Sequence, residues 1–243
     1  MNNRDDSAEL SAIISEFLRN GYEHADFSWL VNSAAEGNAD ATGVAGDKIA
    51  REKPASNETN VDKHELYAQA ITACMEAITP PAEALNVDSP VPAECMAHIV
   101  SALFTQLDTH REAVALLAAD SLHPVLETGT TTTMMESSEL GLHLDRVLLR
   151  GQEAGAFRPG ISANDVFYII ISLSLFRLNH RHLMATTAQV DTLSASNSVG
   201  IRRLVIDAVL SFLTSNIEDS EHESYLFTSD EEHDGGGLGV YWD

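Results

Sequence analysis

The most constraining feature is one apolar run that ends abruptly. Phe167 to Phe176 carries ten residues of which only two serines are polar, and Arg177-Leu-Asn179-His-Arg-His182 follows at once. The run is too short to span a bilayer, which takes about twenty apolar residues. It reads as a helix buried on most sides. After a break at Asp191 to Asn197, a second helical pattern runs from Ile201 to Leu213, with apolar residues at three- and four-residue spacing. Two such helices joined by a short link form an antiparallel hairpin, which needs either a core or a second copy of itself to cover it.

The rest of the chain repeats the helical period, and no alternating strand pattern or internal repeat interrupts it. The expected fold class is all-α. Leu10, Ile13, Ile14, Phe17 and Leu18 predict a helix over Ala8 to Asn20, stopped by Asn20-Gly21. Phe27 to Ala35 reads as a short second helix. Glu36 to Asn60 is rich in Gly, Ala, Asp, Asn and Ser and has few large apolar residues. Such a stretch buries too little surface to offset its ordering entropy, so it reads as a flexible loop. Asp62 to Glu65 is an N-terminal capping signature, opening a helix that ends at Pro80-Pro81. Further helices are expected over Ala93 to Leu107, Arg111 to Leu122 and Ser138 to Ala154, with a polar break at Thr128 to Thr133. Gly155 to Gly160 reads as a turn, and Ser162 or Asn164 as the cap of the apolar helix.

Charge narrows the partners. Lys plus Arg number 14 against 37 Asp plus Glu among 243 residues, a formal net charge of −23. Such a field repels nucleic acid and anionic membrane unless a local basic patch overrides it. Glu218 to Asp234 holds eight acids and no Lys or Arg, and like charges at that density resist compaction, so residues 217–243 read as a disordered acidic tail. Cys74 and Cys95 lie in apolar helical stretches and read as buried free thiols of a reducing compartment. The N-terminus lacks the basic-then-apolar pattern of a signal peptide, which points to the cytoplasm.

No motif for an enzyme is present: no glycine-rich phosphate loop, no nucleophile elbow, no zinc-protease helix. His110, His123, His143, His180 and His182 raise the question of a metal. His180 and His182, two residues apart, point to different sides of a helix and read better as polar residues closing a helix end. No metal site and no cofactor are expected. Arg177, Arg181, Arg202 and Arg203 lie on the two C-terminal helices, where a solvated face is the default reading and an anionic partner the alternative.

Taken together, these segments resemble the TetR family of one-component bacterial regulators. Leu148-Leu-Arg-Gly151-Gln-Glu-Ala-Gly155-Ala-Phe157-Arg158-Pro159 looks like the family's arginine–glycine and glycine-x-phenylalanine-arginine turn before its last two helices. Asn179 to His182 with Asp191 downstream, the helix start at Asp108 to Leu117, and the closing helix Val205 to Leu213 also fit. Phe17 to Tyr22 fits the first helix and its stop, and Phe27 to Ala34 the second. The recognition-helix anchors do not follow: Ala41, Thr42 and Ala45 stand in their place, beside Glu36, Asp40 and Asp47. The pattern returns at Asp62-Lys63, where Lys63 matches a phosphate-contacting lysine.

The resemblance implies three regions: a degenerate helix-turn-helix-like head over 1–61, with an acidic loop at 36–60; a ligand-binding and dimerisation domain over 62–216; and the tail. It implies a homodimer joined by a four-helix bundle, with Phe167, Ile171, Leu175, Leu204, Ala208 and Phe212 as candidate contacts. It implies a small, mainly apolar effector, with Phe104, Leu107, Leu117, Met134, Met135, His143 and Phe176 as candidate lining residues; structural core is the competing reading for each. Residues 1–62 hold five Lys plus Arg against twelve Asp plus Glu, whereas a duplex reader presents basic or amide side chains to the groove. The family therefore implies a transcriptional regulator, while the residues argue that DNA binding is weakened or lost. The alternative is a ligand- or protein-binding module derived from such a regulator.

Overall fold

A computed structural model of the chain describes residues 3–30, 62–126, 134–137, 139–217 and 224–226. The helices are α1 (Asn3–His24), α2 (Lys63–Ile78), α3 (Ala82–Leu85), α4 (Pro92–Thr109), α5 (Arg111–Leu122), α6 (Met134–Ser137), α7 (Leu140–Glu153), α8 (Ala163–Asn179), α9 (Arg181–Ala188) and α10 (Ala195–Thr214). No strand occurs among the described residues. The fold is all-α. The expected loop at 36–60, most of the expected second helix and the break at 128–133 lie outside the described residues.

The helices group into two compact units. The first contains α1, α2 and α5. Its centre is aromatic: the Phe17 ring lies 4.9 Å from Phe27 and meets Tyr67 edge-on at 4.8 Å. Gly21 breaks the helical backbone of α1 with φ 70° and ψ 169°, a conformation that glycine adopts at little cost, so the expected stop is real. Glu16 ties the chain beyond that break back to α1, accepting from the Asp26 backbone N–H at 3.0 Å and Asn20 Nδ2 at 2.6 Å. These bonds hold its carboxyl below the usual range. Asp62 caps α2, its Oδ1 accepting from His64 N at 3.0 Å. Cys74 is buried and free, and burial pushes its thiol up to about 12.

The second unit is built on α4, which packs against α3, α7, α8 and α10. Cys95, Met96, Ile99, Val100, Leu103, Phe104 and Leu107 recur three and four apart along it, and all are buried. Seven side chains of this kind contribute on the order of 10 kcal/mol before entropy is subtracted. α7 buries the matching stripe Leu140, His143, Leu144, Val147, Leu148 and Gly151. It ends in a tight turn in which Ala156 and Phe157 donate backbone N–H groups to the Gly151 carbonyl, at 2.8 and 3.0 Å. Gly155 takes φ 66° there. The Phe157 ring then folds back so closely that a Cβ on Gly151 would lie 2.0 Å from it.

Two sequence expectations need correction. α8 is not buried on most sides. It buries one stripe, Ala163, Val166, Ile170, Ser174 and Arg177 with Asp165, while Tyr168 stays 59 % and Phe176 46 % exposed. The link between the two helices is also more than a short break: His180, at φ −109° and ψ 23°, separates α8 from the extra helix α9, which buries no residue and ends in left-handed Gln189. A helix with no buried face leaves no apolar periodicity to read. At the N-terminus of α8, Ser162 and Asp165 form a reciprocal capping box, which selects Ser162 over Asn164 as the cap.

Candidate functional site

The best-defined polar cluster of the second unit joins α4, α8 and α10. Asp108, in the last turn of α4, receives Arg177 Nη2 from α8, Ser198 Oγ from α10 at 3.0 Å and Arg111 Nη2 at 2.7 Å. Arg177 is 2 % exposed. Its Nη1 donates to the Thr192 carbonyl at 3.0 Å, and Thr192 Oγ1 returns a bond to the Arg177 carbonyl at 2.8 Å. The guanidinium lies 4.5 Å from the Phe104 ring centroid, a cation–π geometry. Burial opposes the charge of Asp108, but the bonds from Arg177 and Ser198, the Arg177 charge and the bond from Arg111 outweigh it, and the carboxyl sits below its usual range. Two buried donors on the same face of α8, Ser174 Oγ and Arg177 Nε, have no hydrogen-bond partner. Buried donors are normally paired, so these two are places where an acceptor would be favoured.

The candidate pocket residues do not all converge. Phe104, Leu107, Met134 and His143 are buried in the second unit, and Met135 is half-buried beside Gly141. His143 is held at both ring nitrogens, Nδ1 facing the Glu139 carbonyl at 2.8 Å and Nε2 facing Asn86 Oδ1 at 3.0 Å. Leu117 belongs to the first unit and is half-buried. Phe176 stands on the outer surface, stacked on His180 at 4.8 Å.

The candidate dimer contacts sit on two open faces. On α8, half-buried Phe167, Ile171 and Leu175 flank exposed Tyr168, Ser172 and Phe176. On α10, Leu204 is 56 % exposed and lies with Gly200, Arg203, Asp207, Ala208 and Ser211 in a surface groove of about 510 Å³. Phe212 is turned elsewhere: its ring packs under Arg158 at 4.5 Å and beside Tyr225 at 5.8 Å. In the first unit, Lys63 Nζ donates to the Glu23 carbonyl at 2.9 Å and lies 5.3 Å from the Tyr22 ring centroid. Among the described residues no three His, Cys, Asp or Glu side chains group as a metal site. None of the described helices is long and apolar enough to cross a membrane.

Residues 92–209 match the family model described as Tetracyclin repressor-like, C-terminal domain. This span of the chain is similar to the C-terminal domain of the TetR family. The matched span opens at Pro92, the first residue of α4, and closes at Val209 on α10. It contains Asp108, Arg177 and Ser198. No curated protein matches the chain. In this TetR-like span the arginine–glycine and glycine-x-phenylalanine-arginine residues have a physical role: Gly151 leaves room for Phe157, Gly155 supplies the left-handed turn, and Arg158 donates through its backbone N–H to the Leu213 carbonyl at 2.9 Å and through Nε to the Phe212 carbonyl at 3.0 Å. Sequence reading missed the Asp108–Arg177 pair. Arg177 looked like one of four surface arginines, and the signal that set it apart was its place on the Val166, Ile170, Ser174 stripe.

Proposed function

We propose that the chain is a non-enzymatic, cytoplasmic, TetR-like one-component transcriptional regulator: a homodimer that binds a small, mainly apolar effector and whose DNA-binding head has diverged. The match over residues 92–209 carries this reading. The unpaired apolar faces of α8 and α10 support dimerisation, because a contiguous exposed apolar surface on a soluble protein marks an interaction site. Phe167, Ile171, Leu175, Leu204 and Ala208 would meet their counterparts across a two-fold axis. The effector would lie beside Phe104, Leu107, Met134, Met135 and His143, with a polar group accepting from the unpartnered Arg177 Nε. It would act by shifting the balance between two arrangements of the dimer.

The acidity of residues 1–62 supports a second reading, a ligand- or partner-binding dimer that no longer holds duplex DNA. Lys63, the residue placed for a phosphate, is already engaged by the Glu23 carbonyl. Titrating the full chain against duplex DNA from around its own gene, at low and at physiological salt, separates the two. Saturable, sequence-dependent binding that weakens with salt is the regulator's outcome. No binding at low salt by a folded helical dimer leaves the second reading standing.

A further inference from the structure

Asp165 does two jobs with two oxygens. Its Oδ2 serves the α8 capping box, accepting from Ser162 N at 2.8 Å and Ser162 Oγ at 3.0 Å. Its Oδ1 takes no bond from that box. It accepts instead from Tyr225 N at 2.9 Å and Leu226 N at 3.1 Å, and shares the Ser224 hydroxyl with Oδ2, at 3.0 and 3.1 Å, all from a segment that follows the end of α10 by ten residues. A capping box needs only one acceptor on its third residue, so Oδ1 is spare until this segment arrives. With the segment in place Asp165 is buried, and a buried carboxylate oxygen left without donors is costly.

The ring of Tyr225 has its own place. Arg158 Nη2 donates to the Tyr225 hydroxyl at 3.2 Å, and the guanidinium lies 5.7 Å from its ring centroid. Phe212 closes the other side at 5.8 Å. Ser224 Oγ also lies 2.9 Å from Ser162 Oγ. The contacts come from two stretches far apart in sequence: the turn before α8 with the first turn of α8, and the last turn of α10. They select a particular peptide chemistry: a serine hydroxyl, then an aromatic side chain with a hydroxyl, with two consecutive backbone N–H groups turned toward one carboxylate oxygen.

We propose that Asp165 Oδ1 and the slot between Arg158 and Phe212 form a peptide-docking site whose ligand is the chain's own Ser224-Tyr225-Leu226 segment. Docked, the segment clips the turn between α7 and α8 to the end of α10. It also occupies Phe212, which is therefore withheld from any face that α10 offers a partner. Tyr225 keeps half of its surface in water, so the clip can open without disturbing the core beneath it.

Amide exchange by NMR on the full-length chain tests this. Tyr225 and Leu226 amides should exchange at least about tenfold more slowly than in a free peptide of the same sequence, the mark of local protection. In Asp165→Asn the single remaining carbonyl oxygen is claimed by the cap, so both amides lose that protection while those of α8 keep theirs. Leu226→Pro removes one of the two backbone donors without touching α8, and the Tyr225 amide should then exchange several-fold faster than in the unaltered chain. Free-peptide exchange in the unaltered chain overturns the proposal. So does Tyr225 protection that is undiminished in Leu226→Pro, which decides the matter if Asp165→Asn unfolds α8. Protection that is unchanged on dilution assigns the ligand to the same chain. Protection lost together with dimer overturns that assignment and places the segment on a second copy.

Discussion

α4 and α8 are both apolar helices of similar length, and the molecule treats them in opposite ways. α4 is covered by four other helices, and its seven buried residues are nearly all aliphatic or aromatic. α8 turns one stripe inward, and that stripe includes Asp165, Ser174 and Arg177, while aromatic residues face outward. Apolar content therefore measures how much surface a helix offers for burial and not what covers it. Polar residues on the inner stripe and aromatics on the outer one fit the proposal that α8 serves two interfaces, one inside the chain and one with a second copy.

Three substitutions press on that contrast. Leu103→Ala in α4 removes a side chain with 0 % exposure and should cost about 2–5 kcal/mol in urea unfolding, because the surrounding helices cannot collapse onto the cavity. A cost under 1 kcal/mol would mean that α4 is not the centre of the unit.

Arg177→Met should cost about 3 kcal/mol, at the lower end for breaking a buried pair, since Asp108 keeps Arg111 and Ser198. The pH dependence fixes the sign. A carboxyl lowered in the folded state contributes stability that is complete above the ordinary aspartate value of about 3.9 and is lost as pH falls through its lowered folded value. The substituted protein should lose less stability across that acid range than the original does. Parallel curves would remove Asp108 as the group responsible.

Leu204→Glu should have the smallest effect on the fold, within about 0.5 kcal/mol for an exposed position. Its effect belongs to assembly: sedimentation should show a dimer giving way to a folded monomer. An unchanged mass would take the α10 face out of the proposed interface.

Local signals carried most of the helical boundaries. Asp62, Ser162, Gly21 and Gly155 each act within one turn of themselves, so their roles are visible in the residue and its neighbours. The Asp108–Arg177 pair spans 69 residues, and no local pattern announces which arginine of four will be buried. The open faces of α8 and α10 were legible as apolar surface, but their one-sided burial was not, because it depends on where α4 lies. The acidic tail shows the reverse error: its composition argues against order throughout, yet Ser224 to Leu226 is held by specific bonds that an overall charge count does not register.

The notch at Gly151 has a bearing on how such a domain can change over generations. A side chain at 151 and the ring at 157 compete for one volume, so neither position is free to vary while the other stays as it is. Alanine at 151 is obstructed as long as phenylalanine is present, and a smaller residue at 157 leaves a void above the glycine. The two sites are epistatic, and the viable route runs through loss of the ring first: a chain that has accepted a cavity at 157 is the one in which Gly151→Ala turns from harmful to restorative.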